Sequence, residues 1–185
     1  MLRKHPRGLN RLTSHHRPTR QPPQHGFDAP AASGWTHNRP VDDSDPFDLH
    51  RFVDAQGHGY DGIVRELRNA RKVSHWMWFV FPQITGLGSS RVSQQYAIRS
   101  LDEARAYLAH ADLGPRLREC TDLVLAAPPD ATATSIFGGT DALKLRSSMT
   151  LFLRAAPDEP RWQQLLDRFY AGAADALTDR LLGLG

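Results

Sequence analysis

From Asp45 onward the chain is punctuated as a series of helices, and this limits its fold more than any other feature. "DPFDLHRFVDAQ" offers Asp45 as a cap, Pro46 at a first helical position and Leu49, Phe52, Val53 and Gln56 on one face. After Gly57 and Gly59, "YDGIVRELRNAR" repeats the pattern with Tyr60, Ile63, Val64 and Leu67. "SLDEARAYLAH" begins with Ser100 and has Glu103 three residues on, the signature of a capping box. "LGPRLRECTDLVLAAP" starts near Pro115 and stops at Pro128 and Pro129, and "PDATATSIFG" allows one short turn. "TDALKLRSSMTLFLRAAP", "EPRWQQLLDRFYAG" and "ADALTDRLLG" complete the series. The candidate strands are Trp78 to Phe81 and the neighbourhood of Val41, too little for a sheet. The expectation is an all-α fold, a compact single domain of about seven to nine short helices spanning residues 45–185. No internal repeat marks a solenoid.

Residues 1–44 read differently. They hold six prolines, five histidines and few large apolar residues, a composition that predicts a disordered tail. Charge divides along the same line: residues 1–40 carry seven Arg or Lys against Asp28 alone, leaving 16 of the 23 basic and 19 of the 20 acidic residues for the remainder. The basic pI of about 9.3 therefore belongs to the tail. Nucleic acid is expected only as a non-specific, salt-sensitive partner of that tail. No run approaches the roughly 18 apolar residues of a membrane helix, so no membrane partner is expected and the predicted location is cytoplasmic. Cys120, alone, permits no internal disulfide and reads as a core thiol.

Two segments carry residue types suited to chemistry. "KVSHWMWFVFPQ", residues 72–83, gathers Lys72, Ser74, His75, Trp76, Trp78 and Gln83. Its aromatic rings offer flat faces to a base or sugar, and His75 can act as acid or base near neutrality. No second histidine stands one helical turn away, so no metal is expected there, and with no dinucleotide fingerprint in the chain no cofactor is expected either. "TDALKLRSSMTLF" places Lys144, Arg146, Ser147 and Ser148 in the first turns of a helix, cations and hydroxyls of the kind that hold phosphate or carboxylate. Placed between Leu145 and Met149, such groups must meet one another or a ligand. The reading is a small anionic metabolite, a phosphate-bearing nucleotide or nucleotide sugar such as ADP-ribose, bound where the two segments meet. If turned over, it would undergo hydrolysis or transfer at a glycosidic or phosphate bond, with His75 as acid or base and Asp141 or Glu66 as the carboxylate. The alternative is a non-catalytic interaction module in which the same polar residues form a structural network. No oligomeric state follows from the residues.

The strings "RFVDAQ", "ELRNARKVSHWMWFVFPQITGLGSS", "SQQYAI", "LDEARAYLAH", "LGPRLRE", "IFGGTDALKLRSSMTLF", "LDRFYAG" and "ALTDRLL" together resemble an uncharacterised bacterial family, a domain of unknown function often labelled calpastatin. The resemblance runs from about Asp45 to Leu184. It implies a compact all-α protein and no particular reaction. One departure stands out: Asn69 and Ala70 precede Arg71 and Lys72, where the family commonly has a glycine.

Overall fold

The computed structural model describes residues 45–185, so the expectations for the tail and for a strand near Val41 lie outside the described residues. Ten helices follow one another among the described residues: α1 (His50–Gly57), α2 (Tyr60–Arg68), α3 (Met77–Val80), α4 (Arg91–Gln95), α5 (Leu101–Ala109), α6 (Leu113–Leu125), α7 (Ala133–Phe137), α8 (Gly139–Ala155), α9 (Pro160–Tyr170) and α10 (Ala176–Leu181). Among the described residues the only β pairing is an isolated parallel bridge between Ile84 and Ile98. The all-α expectation holds, and the helix number exceeds it because α3 and α4 are single turns with no periodicity to detect.

The 17-residue α8 is the central element and packs against α5, α7, α9 and α10. It buries Ala142, Leu145, Met149, Leu151, Phe152 and Ala155. α9, entered through Pro160 at its first position, lays Trp162, Leu165 and Leu166 against it. A chain of aromatic contacts crosses the core from α1 to α9: Phe52 meets Tyr107 at 5.1 Å, Tyr107 meets Phe152 at 5.6 Å and Phe152 meets Trp162 at 5.7 Å between ring centroids. The α5–α6 corner depends on Gly114, where an added Cβ would fall 2.1 Å from the Leu108 carbonyl oxygen.

Three local expectations are revised. Asp45 does cap α1, accepting the Leu49 and His50 N–H groups at 2.8 and 2.9 Å, but from outside the helix. Asp48 has φ 54°, so Pro46 lies in the preceding turn rather than at the helix start. Ser100 caps α5 as expected, whereas the Glu103 carboxylate turns to the Arg99 N–H and to the guanidinium groups of Arg51 and Arg99. Trp78 to Phe81, read as a candidate strand, lies largely in the single turn of α3. With no neighbouring strand among the described residues, the segment bonds locally: Val80 donates to the Trp76 carbonyl and Phe81 to that of Met77. No helix among the described residues is long and apolar enough to cross a membrane.

Candidate functional site

The site begins at the end of α2. Ala70 takes the left-handed conformation (φ 47°), with the Arg71 N–H bonded to the Glu66 carbonyl and the Ala70 N–H to that of Leu67. This is a Schellman stop made with alanine where glycine is the unstrained residue. The chain then leaves the helix, and the Lys72 N–H donates to the Ile136 carbonyl at 2.8 Å, fixing this loop to α7. Glu66 collects the loop from the other side. Its carboxylate accepts the Val73 N–H (2.7 Å), the Ser74 N–H and hydroxyl (3.1 and 2.6 Å) and the Trp76 indole N–H (2.8 Å). Partial burial pushes the Glu66 carboxyl up, but the bonds from Ser74, Val73 and Trp76 outweigh it and hold it below its ordinary value.

Gly138, with φ 77°, makes the joint between α7 and α8 and brings the first turn of α8 beneath this loop. There Lys72 donates to Asp141 Oδ2 at 2.7 Å and Lys144 donates to Asp141 Oδ1 at 2.8 Å. One carboxylate thus serves two ammonium groups, with side-chain exposures of 7% for Lys72, 19% for Lys144 and 16% for Asp141. Burial raises the Asp141 carboxyl while hydrogen bonds from Lys144 and Lys72 lower it, and the net direction is down. Each lysine also faces an aromatic ring: Lys144 Nζ lies 4.2 Å from the Trp78 centroid and Lys72 Nζ 5.2 Å from that of Trp76.

The two tryptophans, treated alike in the sequence, separate here. Trp76 is 2% exposed and packs on Phe81 and Phe137 in the core, whereas Trp78 is half-buried. Ser74 and His75 are exposed on the loop above. The later candidates on α8 point to other partners. Arg146 donates to the Ala173 and Ala174 carbonyls at 2.9 and 2.8 Å, bracing the α9–α10 connection. The Ser147 hydroxyl bonds Asp175, which itself caps α10. Ser148 is fully buried, and its hydroxyl has no protein partner among the described residues. Gln83 lies apart as well, lining a depression of about 180 Å³ with Thr85, Gly86 and Ser93.

A neighbouring depression of about 270 Å³ is lined by Asp48, Arg51, Thr85, Gln94, Gln95, Ala97 and Arg99. Although it is the larger hollow, its Arg51 guanidinium already donates to Gln95, Phe47, Asp48 and Ala97 carbonyls and to Glu103, which uses all five N–H groups. The Asp141 cluster is different: each ammonium has three donors, of which the carboxylate takes one. Sequence reasoning also missed a buried network in which Gln56 Nε2 donates to the Phe79 carbonyl (2.7 Å) and to the Tyr107 hydroxyl (3.1 Å). Its signal was a glutamine among the core-facing positions of α1.

The profile of a family described as "Protein of unknown function (DUF1810)" matches residues 46–182. The chain belongs to that family. The description names no activity, and nothing in it supports the calpastatin label. None of the curated proteins compared matches the chain. A similar solved structure is the crystal structure of the conserved hypothetical protein Rv1873 from Mycobacterium tuberculosis, at 52% identity and a TM-score of 0.73. The match covers 76% of this chain and 100% of that one.

Proposed function

We propose that this DUF1810 protein binds a phosphate-bearing nucleotide or nucleotide-sugar metabolite, ADP-ribose-like in chemistry, at the Lys72–Asp141–Lys144 cluster, in the cytoplasm. The observation that carries the reading is one carboxylate shared between two poorly exposed lysines, one of them 4.2 Å from the ring of half-buried Trp78. Spare ammonium donors suit an anionic oxygen, and an adjacent indole suits a base or sugar. Lys72 and Lys144 would hold the anion, Trp78 the ring, and Ser74 and His75 the exposed rim. Trp76 supports this arrangement through its bond to Glu66, whereas Arg146 and Ser147 hold the α9–α10 connection. Any turnover would use Asp141 and Glu66 as ionised carboxylates, the form favoured by their lowered pKa values, which leaves His75 as the proton donor. Hydrolysis or transfer at a glycosidic or phosphate bond is the chemistry compatible with those roles. Nucleic acid would be held only through the seven basic residues of positions 1–40, without sequence preference.

The test is thermal melting of the wild type, Lys144→Met and Trp78→Ala with nucleotides, nucleotide sugars and ADP-ribose. Ligand at about 100 times its Kd stabilises by about 2.7 kcal/mol, a rise of several degrees. That rise should vanish in Lys144→Met. A wild type that none of these compounds stabilises would reject the reading. It would favour the second one, a non-catalytic interaction module with a structural polar cluster, whose support is that Glu66 and Arg146 direct their hydrogen bonds to the protein itself.

A further inference from the structure

We infer that Asp141 determines anion affinity and charge selectivity at the cluster, acting as an internal anion with which the ligand's phosphate competes for the ammonium N–H groups of Lys72 and Lys144. This rests on the anion-binding reading above and goes beyond it by naming the residue that limits binding. With side-chain exposure of 7%, Lys72 has lost most of its hydration, and an ammonium in that position requires an anion beside it. Asp141 provides one negative charge for two positive ones, leaving the trio with a net single positive charge. A phosphate seated against the lysines gains from that residual charge and from the unused donors. It is also repelled by a carboxylate that holds one N–H of each lysine, 2.7 and 2.8 Å away.

Asp141 cannot readily withdraw. It lies in the first turn of α8, where an acidic side chain is favoured by the helix dipole, and the loop carrying Lys72 is fixed above it through Ile136 and Glu66. The competition is therefore built into the backbone geometry, and its effect scales with ligand charge. Asn is nearly the same shape as Asp and keeps one carbonyl acceptor for a lysine while removing the negative charge.

The experiment is calorimetric titration of wild type and Asp141→Asn with inorganic pyrophosphate, and with adenosine as a neutral probe. The expected result is pyrophosphate binding about tenfold or more tighter in Asp141→Asn, with the gain shrinking as salt is raised and adenosine affinity unchanged. Pyrophosphate binding that is equal or weaker in a folded Asp141→Asn would overturn the inference while leaving the anion site itself intact in the wild type. A wild type and variant that both ignore pyrophosphate would overturn the inference and the site together. Should Asp141→Asn fail to fold, the wild type still decides. The Asp141 side-chain carboxyl carbon resonance should move as pyrophosphate takes its lysine partners, and a resonance unmoved at saturation would refute the competition.

Discussion

Replacing Arg51 with methionine should destabilise the protein more than most single substitutions. Glu103 is 0% exposed, and its carboxylate is compensated by Arg51, by Arg99 and by the Arg99 N–H. Methionine retains an apolar stem over Phe52, whose ring lies 4.2 Å from the Arg51 guanidinium, and so removes mainly the charge and its hydrogen bonds. Five bonds are lost at once: those to the carbonyls of Phe47, Asp48, Gln95 and Ala97, and the ion pair to Glu103. The four carbonyls lie near the surface and water replaces much of what they lose. Most of the destabilisation comes from the buried carboxylate, since breaking a buried pair from one side costs about 3–5 kcal/mol. Arg99, with 61% of its side chain exposed, compensates only part of the charge. For a folded region of this size the loss corresponds to a fall in Tm of about 10–20 °C. Urea unfolding followed by the fluorescence of buried Trp76 and Trp162 measures it. The double variant Arg51→Met, Glu103→Leu should recover a large part of the loss, because no charge is then left buried without a partner. A single variant costing under about 1 kcal/mol, or a double variant no more stable than the single, would refute this account.

Ala70→Gly should stabilise by about 1 kcal/mol, since φ 47° at a Schellman stop is free of strain only for glycine; an unchanged or lower urea midpoint would count against it. Arg146→Ala should cost about 1–3 kcal/mol by releasing the α9–α10 connection, and an unaltered midpoint would show that its two carbonyl bonds contribute nothing net. The Arg154 guanidinium bonds Asp179 through two N–H groups and holds its carboxyl below the ordinary value, despite the opposing effect of burial. A carboxyl lowered in the folded state contributes stability that is fully present above its unfolded pKa, about 3.9, and is lost as pH falls through the folded value. Asp179→Asn should therefore lose less stability than wild type between about pH 5 and pH 2, and equal losses in urea titrations would contradict the assignment. Burial pushes the Cys120 thiol up to about 12, so an aromatic disulfide reagent should label it only at the rate of unfolding; rapid labelling of the native protein would place the thiol at the surface.

The helical fold was legible in the residues because its signals are local. The Ser100 cap, the stop before Pro128 and the short turn in "PDATATSIFG" act within one or two turns of backbone, and each was found where expected. The residue types at the candidate site were legible too, but their partners were not. Trp76 and Trp78 are two positions apart and look equivalent in sequence, yet a one-turn helix directs one into the core beside Phe81 and leaves the other half-buried against Lys144. Lys144, Arg146 and Ser147 form one dense polar run, and helix rotation sends Lys144 to Asp141 and its neighbours to the α9–α10 connection. Glu66 read as a candidate catalytic carboxylate, and tertiary structure gave it the backbone of residues 73 and 74 and the Trp76 indole to hold. The sequence alone determined that the chain from Asp45 onward folds as successive helices and where the longer ones lie, because those signals depend on neighbours along the chain. Which buried charge meets which partner was decided only when α2, α7 and α8 packed together, since an ion pair such as Lys72–Asp141 joins residues that nothing in the local pattern connects.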